Sequence, residues 1–558
     1  MFVYNYENMS RIARSEIGQQ YIRQIKSEYE KNYKGQPIYA LDYSQFKRFY
    51  IDGNRGVFQD QYFQRRRRLR LLQALALTDD CYLDDLENTL SAICDEFIWI
   101  VPAHAFEDDV VAKHHYIDLF SAETAFYLSE TSYVFGDKLS KDIRNKIKIS
   151  VKMKIVDVFE TGTYFFETIH NNWAAVCSCG VGLSYLYLFP ERFEAVKDKI
   201  FSCMNNYLLG IGVEGYCEEG ISYWEYGFGF FSIFFDVYTQ LLGERPEILS
   251  SPTVLNALKY PAKAYMADGV YLPFADGGRT KFAASPEIVY SIKNLFGNEF
   301  DLIPMSFEPR NATGKALIFR VLNGVDKFGE YQEKAIENKT IYYKNHEVFL
   351  RREKAYAFTV KCGNNDEMHN HNDVGTFQIV RNGKRLIVDI GAGEYTKGYF
   401  SDIEERYGDE IFVCGSKSHS VPMIDGKCQQ HGAAYCGKVI SQGEKEIVMD
   451  IAGAYEENAQ GMLVKYVTEA DRICVQYHNL NNQPVCYRFV SEYQPKITNE
   501  GVVIKDMKIL SKNGLMPTLS EREYRAHGYF VEPVAKAYVI DYEVAATDKE
   551  IEFSFLFE

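Results

Sequence analysis

Between Glu367 and Asp373 the chain reads Glu-Met-His-Asn-His-Asn-Asp, two imidazoles one residue apart among amides and carboxylates. In an extended segment His369 and His371 point to the same side. Imidazoles placed that way beside carboxylates can bind a metal, or divide into one ligand and one proton carrier. They can also simply hydrogen-bond one another, and the spacing leaves both readings open. The hairpin that follows carries Asp389, and another histidine, His419, stands in SKSHSVPMIDG. Ladder geometry sets a condition on a metal shared by these groups. With Asn382 and Gly383 as the central turn residues, Asp389 faces Thr376, and His371 lies five residues, roughly 16 Å, further along the strand. The segment must curl back, and Asp373 and Gly375 are suitable turn residues for that bend.

Three further clusters stand out in the first 300 residues. Ile169-His170-Asn171-Asn172-Trp173 sets consecutive amides beside an indole, a combination that is poor helix and poor core but suited to carboxylates, hydroxyls and sugar rings. Gly215 to Gly227 holds Glu218, Glu219, Tyr223 and Tyr226, and the two adjacent glutamates diverge too much to act as one acid/base dyad. Phe274-Ala275-Asp276-Gly277-Gly278-Arg279 places an acid and a base on a flexible turn.

The elements that must carry these groups change character along the chain. Up to about residue 300 the period is helical: Leu83, Leu86, Leu90, Ile93 and Phe97 form one stripe, and Ile143, Ile147, Val151 and Ile155 another. Turn residues between such stripes point to antiparallel helix pairs without a βαβ alternation. Turn formers then cluster at Phe307 to Ala316, and beyond them the period is two. FQIVRNGKRLIVDIG reads as strand, Asn-Gly turn, strand, and Ile551, Phe553, Phe555 and Phe557 alternate with polar partners. The expected architecture is an α+β multidomain chain, with an α-helical domain over 1–306, a linker at about 307–316 and an antiparallel β-domain over 317–558.

Composition narrows the function. A chain of 558 residues, 46% hydrophobic and 25% charged, folds as more than one small module. Its net charge of −15 argues against nucleic acid as partner. The run Arg65 to Arg68 with Arg70 is a local exception, read as a solvated helix face unless it lines a substrate cleft. The 42 tyrosines suit sugar stacking, although most must pack the core or its rim. No window approaches the roughly 18 apolar residues of a membrane span, and the opening MFVYNYENMSRIARSE lacks the apolar stretch of a secretory signal. Cytoplasmic location is therefore expected, and the 12 irregularly placed cysteines are read as free thiols.

Taken together, NNWAAVCSCG, EEGISYWEYGFGF, LPFADGG, HNHNDVGTFQIVRNGKRLIVDIGAG and KSHSVPMIDGK resemble, in the same order, the motifs of the heparinase II/III-like polysaccharide lyases. The resemblance covers most of the chain. It implies an N-terminal (α/α) toroid followed by a C-terminal antiparallel β-sandwich or sheet domain, with the active site in the cleft between them. It implies catalytic roles for Asn172, Tyr223 and His369, and substrate contacts from His170, Asn171, Trp173, Glu219, Tyr226, Asp276 and Arg279. His371, Asp389 and His419 would correspond to zinc ligands, the Zn²⁺ serving a structural role. Ser420 departs from the Asn often found after that histidine, and the tyrosine role falls to Tyr223 ahead of Tyr226.

The implied reaction suits these residue types. Removing the C5 proton of a uronate puts a second negative charge on its carboxylate, which amide donors can stabilise without adding charge of their own. A phenol and an imidazole can then share the base and acid steps. Two alternatives differ in product: a glycoside hydrolase using Glu218 or Glu219 with Asp276, and a carbohydrate-binding protein without chemistry. The expected partner is an acidic oligosaccharide or polysaccharide, short and lightly sulfated, with no nucleic acid and no membrane. A homo-oligomer is compatible with the sequence.

Overall fold

The structure is a computed structural model that describes residues 2–105, 116–277, 281–297, 317–329, 337, 339–401, 403–408, 411–455, 460–527 and 534–557. The chain divides into two compact units. The first comprises Met1–Gly215, Tyr223–Lys259 and Ala283–Lys334, and the second Tyr216–Ser222, Tyr260–Phe282 and Ala335–Glu558.

The first unit is helical. The predicted stripes are buried faces: Leu86, Leu90 and Ile93 on the Leu83–Cys94 helix, and Ile143, Ile147 and Val151 on Lys141–Val151. Other helices are buried nearly all round, notably Leu119–Phe135 and Asn172–Leu188, which pack against each other. Such helices must satisfy their polar groups internally. Glu130 pairs with Arg320 at 2.8 Å and accepts from the Tyr187 hydroxyl at 2.8 Å.

The arginine run is not a solvated face. Arg65, Arg66, Arg68 and Arg70 are all buried, and Arg65 and Arg66 both reach Glu96 Oε1 at 2.6 Å. The Arg66 guanidinium also lies 3.4 Å from the centre of the Tyr62 ring. Two charges of this run are thus paired inside the unit.

The expected linker 307–316 lies outside the described residues, and the boundaries around it need correction. Ile318–Phe328, expected to open the β-domain, is a helix of the first unit, because Ile318, Val321, Leu322 and Val325 form one buried stripe. Tyr216–Ser222 and Tyr260–Phe282, expected within the helical domain, fold with the β unit. Side-chain anchors explain this. Arg352 donates to Ala262 O at 3.1 Å and Tyr265 O at 2.6 Å, and Tyr216 stacks on Tyr343 and His346.

The second unit is built of antiparallel sheets. Five strands (Thr340–Tyr343, Val348–Arg352, Ala357–Lys361, Phe377–Arg381 and Lys384–Ile387) pair in chain order. An eight-stranded sheet includes Glu446–Asp450, Met462–Thr468, Arg472–Asn479 and the alternating tail Glu550–Phe557. A four-stranded sheet is centred on Val485–Ser491 and Val534–Val544. One core joins them, with Phe358, Phe377, Met449, Tyr466, Phe489 and Phe553 all buried in it. Asn382 and Gly383 both take positive φ, 48° and 68°, as the predicted two-residue turn requires.

Candidate active site

The His-Asn-His-Asn-Asp segment is a loop, not the extended strand that would set its imidazoles side by side. His369 sits at φ 55° and Gly375 at φ 87°, and Thr376 N donates to Asp373 O at 2.8 Å to close the bend. The anticipated curling back therefore occurs, with Asp373 and Gly375 in the turn. The ladder also slips: Val380 pairs with Arg385 but Ile379 with Ile387, a bulge that moves the expected register by one residue.

Lys361, the last residue of its strand, ties both ends of this loop. It is 1% exposed, and its Nζ lies 2.8 Å from Glu367 Oε2 and 3.0 Å from Asp373 Oδ1. Burial pulls the lysine pKa down, and the two carboxylates outweigh it and hold the ammonium charged. Lys361→Met leaves Asp373 buried without its cation, with an expected cost of about 3–5 kcal/mol measured by chemical denaturation.

The bend brings His371, Asp389 and His419, all 0% exposed, close enough that a ligand atom from each lies within 4.8 Å of the others. His371 Nδ1 is 3.2 Å from His419 Nε2 and 3.9 Å from Asp389 Oδ1, and His419 Nε2 is 3.5 Å from Asp389 Oδ2. The outer nitrogens are occupied. His419 Nδ1 lies 3.0 Å from Gly415 O, and His371 Nε2 lies 3.2 Å from Asp276 Oδ1. Protons on those outer nitrogens leave both inner lone pairs facing Asp389, the arrangement that metal-ligating histidines use. Two imidazoles and a carboxylate, buried and turned inward, fit a zinc ion.

Asp276 lies beside them in the same unit, on a turn where Ala275 holds φ 57° and Gly277 N donates to Phe274 O at 3.1 Å. Its side chain is 0% exposed and is surrounded by donors. His369 Nδ1 is 2.6 Å from Oδ2 and the Tyr395 hydroxyl 2.9 Å from it, while His371 Nε2 and the Tyr399 hydroxyl approach Oδ1. The carboxylate read as a substrate contact is thus fully engaged inside the protein. Burial pushes its pKa up, but the two histidines outweigh burial and pull it well below the usual carboxylate range.

His369 is held from its other side by Glu219, whose Oε2 lies 3.2 Å from Nε2. Glu219 precedes Gly220 at φ 90°, a left-handed position that favours glycine. Burial lowers the His369 pKa, and the hydrogen bonds to Asp276 and Glu219 more than reverse this, holding it up to about 10. Both ring nitrogens face carboxylates, so His369 is arranged as a proton donor. Phe400, half-exposed, meets the same ring edge-on at 6.3 Å.

In the helical unit, Asn171 caps the Asn172–Leu188 helix, its side chain accepting from Trp173 N at 3.1 Å. Asn172 is the first helical residue, 4% exposed, and its amide makes no hydrogen bond to a described residue. His170 is exposed just before the cap, and its carbonyl is closely approached by Gly210, where a Cβ would lie 1.6 Å from the oxygen. Trp173 packs against Phe165 and His104, each ring centre 4.7 Å away. The sequence reading missed His104. Its Nδ1 lies 2.8 Å from Asp118 Oδ2, a contact that no local spacing signals.

Tyr223 and Tyr226 are three residues apart on the Ile221–Leu242 helix, both partly exposed. The Tyr226 hydroxyl donates to Glu123, which also accepts from Tyr127 at 2.7 Å. Burial, then Glu123, pushes the Tyr226 pKa well above its ordinary value. Arg279 lies outside the described residues.

No protein-family model matches the chain, and no curated protein sequence matches it. Solved structures do. Heparinase III superposes with a TM-score of 0.60 at 14% identity, over 89% of this chain and 77% of that one. The heparan sulfate lyase of Pedobacter heparinus gives 0.55 at 14% identity, covering 96% and 87%. The chondroitin AC lyase of Streptomyces coelicolor, solved with chondroitin sulphate, gives 0.59 at 10% identity, covering 99% and 82%. The chain therefore has a heparinase III-like fold, a helical N-terminal region followed by antiparallel sheets. Among the described residues no helix is long and apolar enough to cross a membrane.

Proposed function

We propose that this chain is a polysaccharide or oligosaccharide lyase that cleaves uronate-containing glycans by β-elimination, its helical unit forming an (α/α) toroid. The observation that carries the reading is His369 clamped between Asp276 and Glu219, as a donor, in a chain with the fold of glycosaminoglycan lyases. The Asn172 amide, at the positive end of a 17-residue helix, is suited to the uronate carboxylate and to the charge that builds there. Trp173 and the exposed His170, on either side of this position, would contact neighbouring sugar groups.

Tyr223, as phenolate, takes the C5 proton. The electron pair of that C–H bond becomes the C4–C5 double bond as the C4–O4 bond breaks, and the same phenol returns its proton to O4. Tyr226, tied to Glu123, is the poorer candidate for this work. His369 donates to the developing negative charge through Nε2, which must exchange its longer 3.2 Å contact with Glu219 for the substrate while Nδ1 stays on Asp276 at 2.6 Å. His371, Asp389 and His419 would hold a zinc ion, whose contribution is to fix the loop that presents His369.

The hydrolase alternative needs a carboxylic acid and a carboxylate both free to work. Glu218 lies 3.2 Å from His346, Glu219 is engaged by His369, and Asp276 is closed off by donors. Arg65 and Arg66 are buried on Glu96, which supports a preference for lightly sulfated or unsulfated uronates. Mass spectrometry of the products tests the reaction type. Elimination gives fragments whose masses sum to the substrate; fragments totalling one water more overturn the proposal.

A further inference from the structure

The two oxygens of Asp276 serve two different groups. Oδ1 faces His371 Nε2 at 3.2 Å and the Tyr399 hydroxyl. Oδ2 faces His369 Nδ1 at 2.6 Å and the Tyr395 hydroxyl at 2.9 Å. We propose that Asp276 is a positioning residue that couples metal occupancy of the His371, Asp389 and His419 cluster to the orientation of His369. The part concerning turnover rests on the lyase reading; the part concerning metal rests on the donor set alone.

A metal at that cluster needs the Nδ1 lone pair of His371, so the ring proton must sit on Nε2. Asp276 Oδ1 is the acceptor that holds it there, selecting the tautomer and fixing the ring plane. Oδ2 belongs to the same rigid carboxylate and orients His369 through its Nδ1. The carboxylate is one planar group, so a rotation that follows His371 also turns Oδ2 relative to His369 Nδ1, with the backbone turn (Ala275 at φ 57°, Gly277 N donating to Phe274 O) as the pivot. Its donors fill both oxygens. A displacement of His371 on metal loss therefore reaches His369 across one side chain. Coupling of this kind is reciprocal, so the interaction that steadies His369 also tightens the metal site.

The test uses the full chain, with zinc as probe, in wild type and Asp276→Asn. Asparagine keeps the shape but presents an NH₂ where one oxygen stood, so one of the two imidazoles loses its acceptor. Zinc per chain is measured after dialysis against graded chelator, alongside kcat and KM. In wild type, the nitrogen-15 signals of the His369 ring are recorded with and without zinc. The expected results are a zinc affinity about 10- to 100-fold weaker in Asp276→Asn and a kcat at saturating zinc still down about tenfold or more. KM stays within about threefold, and His369 ring signals in wild type move when zinc is removed. Unchanged zinc affinity in the variant, or unmoved His369 signals in wild type, overturns the coupling. If Asp276→Asn fails to fold, the wild-type ring signals decide alone. A wild type with zinc-dependent His369 signals but no turnover on any uronate glycan overturns the lyase reading and supports the coupling.

Discussion

Tyr223→Phe lowers kcat by roughly a thousand- to ten-thousand-fold, with KM changed by no more than a few-fold. The substitution removes one oxygen, and with it the proton carrier, and leaves the ring in place. The neighbouring position supplies the control. The Tyr226 hydroxyl is bonded to Glu123 in the helical unit, so Tyr226→Phe costs stability, about 1–3 kcal/mol for a buried acceptor left short of a donor. Its kcat stays within about tenfold of wild type on that account. Steady-state kinetics beside a thermal melt separates the two, and the reverse pattern would transfer the proton-carrying role to Tyr226.

His369→Ala gives the second large effect, a fall in kcat of about a hundred- to a thousand-fold, the scale for loss of a donor aimed at developing charge. Zinc content is the discriminating readout. His369 is not one of the His371, Asp389 and His419 ligands, so the variant should still load at saturating zinc, its affinity lowered only through the Asp276 coupling. His371→Ala should lose zinc and turnover together. A His369→Ala protein that turned over at the wild-type rate would remove His369 from the chemistry.

Much of the scaffold was legible because local signals and tertiary structure agree. The Asn382-Gly383 turn, the stripes on Leu83–Cys94 and Lys141–Val151, and the alternating tail each follow from a period and a turn chemistry that short windows contain. The grouping of His371, Asp389 and His419 was also legible, as was the need for a bend at Asp373 and Gly375. What stayed hidden depends on partners far along the chain. Asp276 looks like an exposed turn acid until Tyr395, 119 residues away, and Tyr399 are folded onto it. The arginine run reads as a solvated face because its partner, Glu96, lies about 30 residues on and is itself buried. Lys361 gave one local hint, a charge at the end of a strand that is otherwise uncharged. The unit to which Tyr216–Ser222 and Tyr260–Phe282 belong is set by long-range anchors such as Arg352, which no period reveals.

β-Elimination of a uronate creates a chromophore that ultraviolet absorbance follows over time. Heparan, chondroitin, hyaluronan and alginate oligosaccharides would be compared for wild type, Tyr223→Phe and His369→Ala. A rise is expected for wild type with at least one substrate, from the conjugated double bond at the new non-reducing end, with its near loss in both variants. New reducing ends appearing without any rise in absorbance would contradict β-elimination.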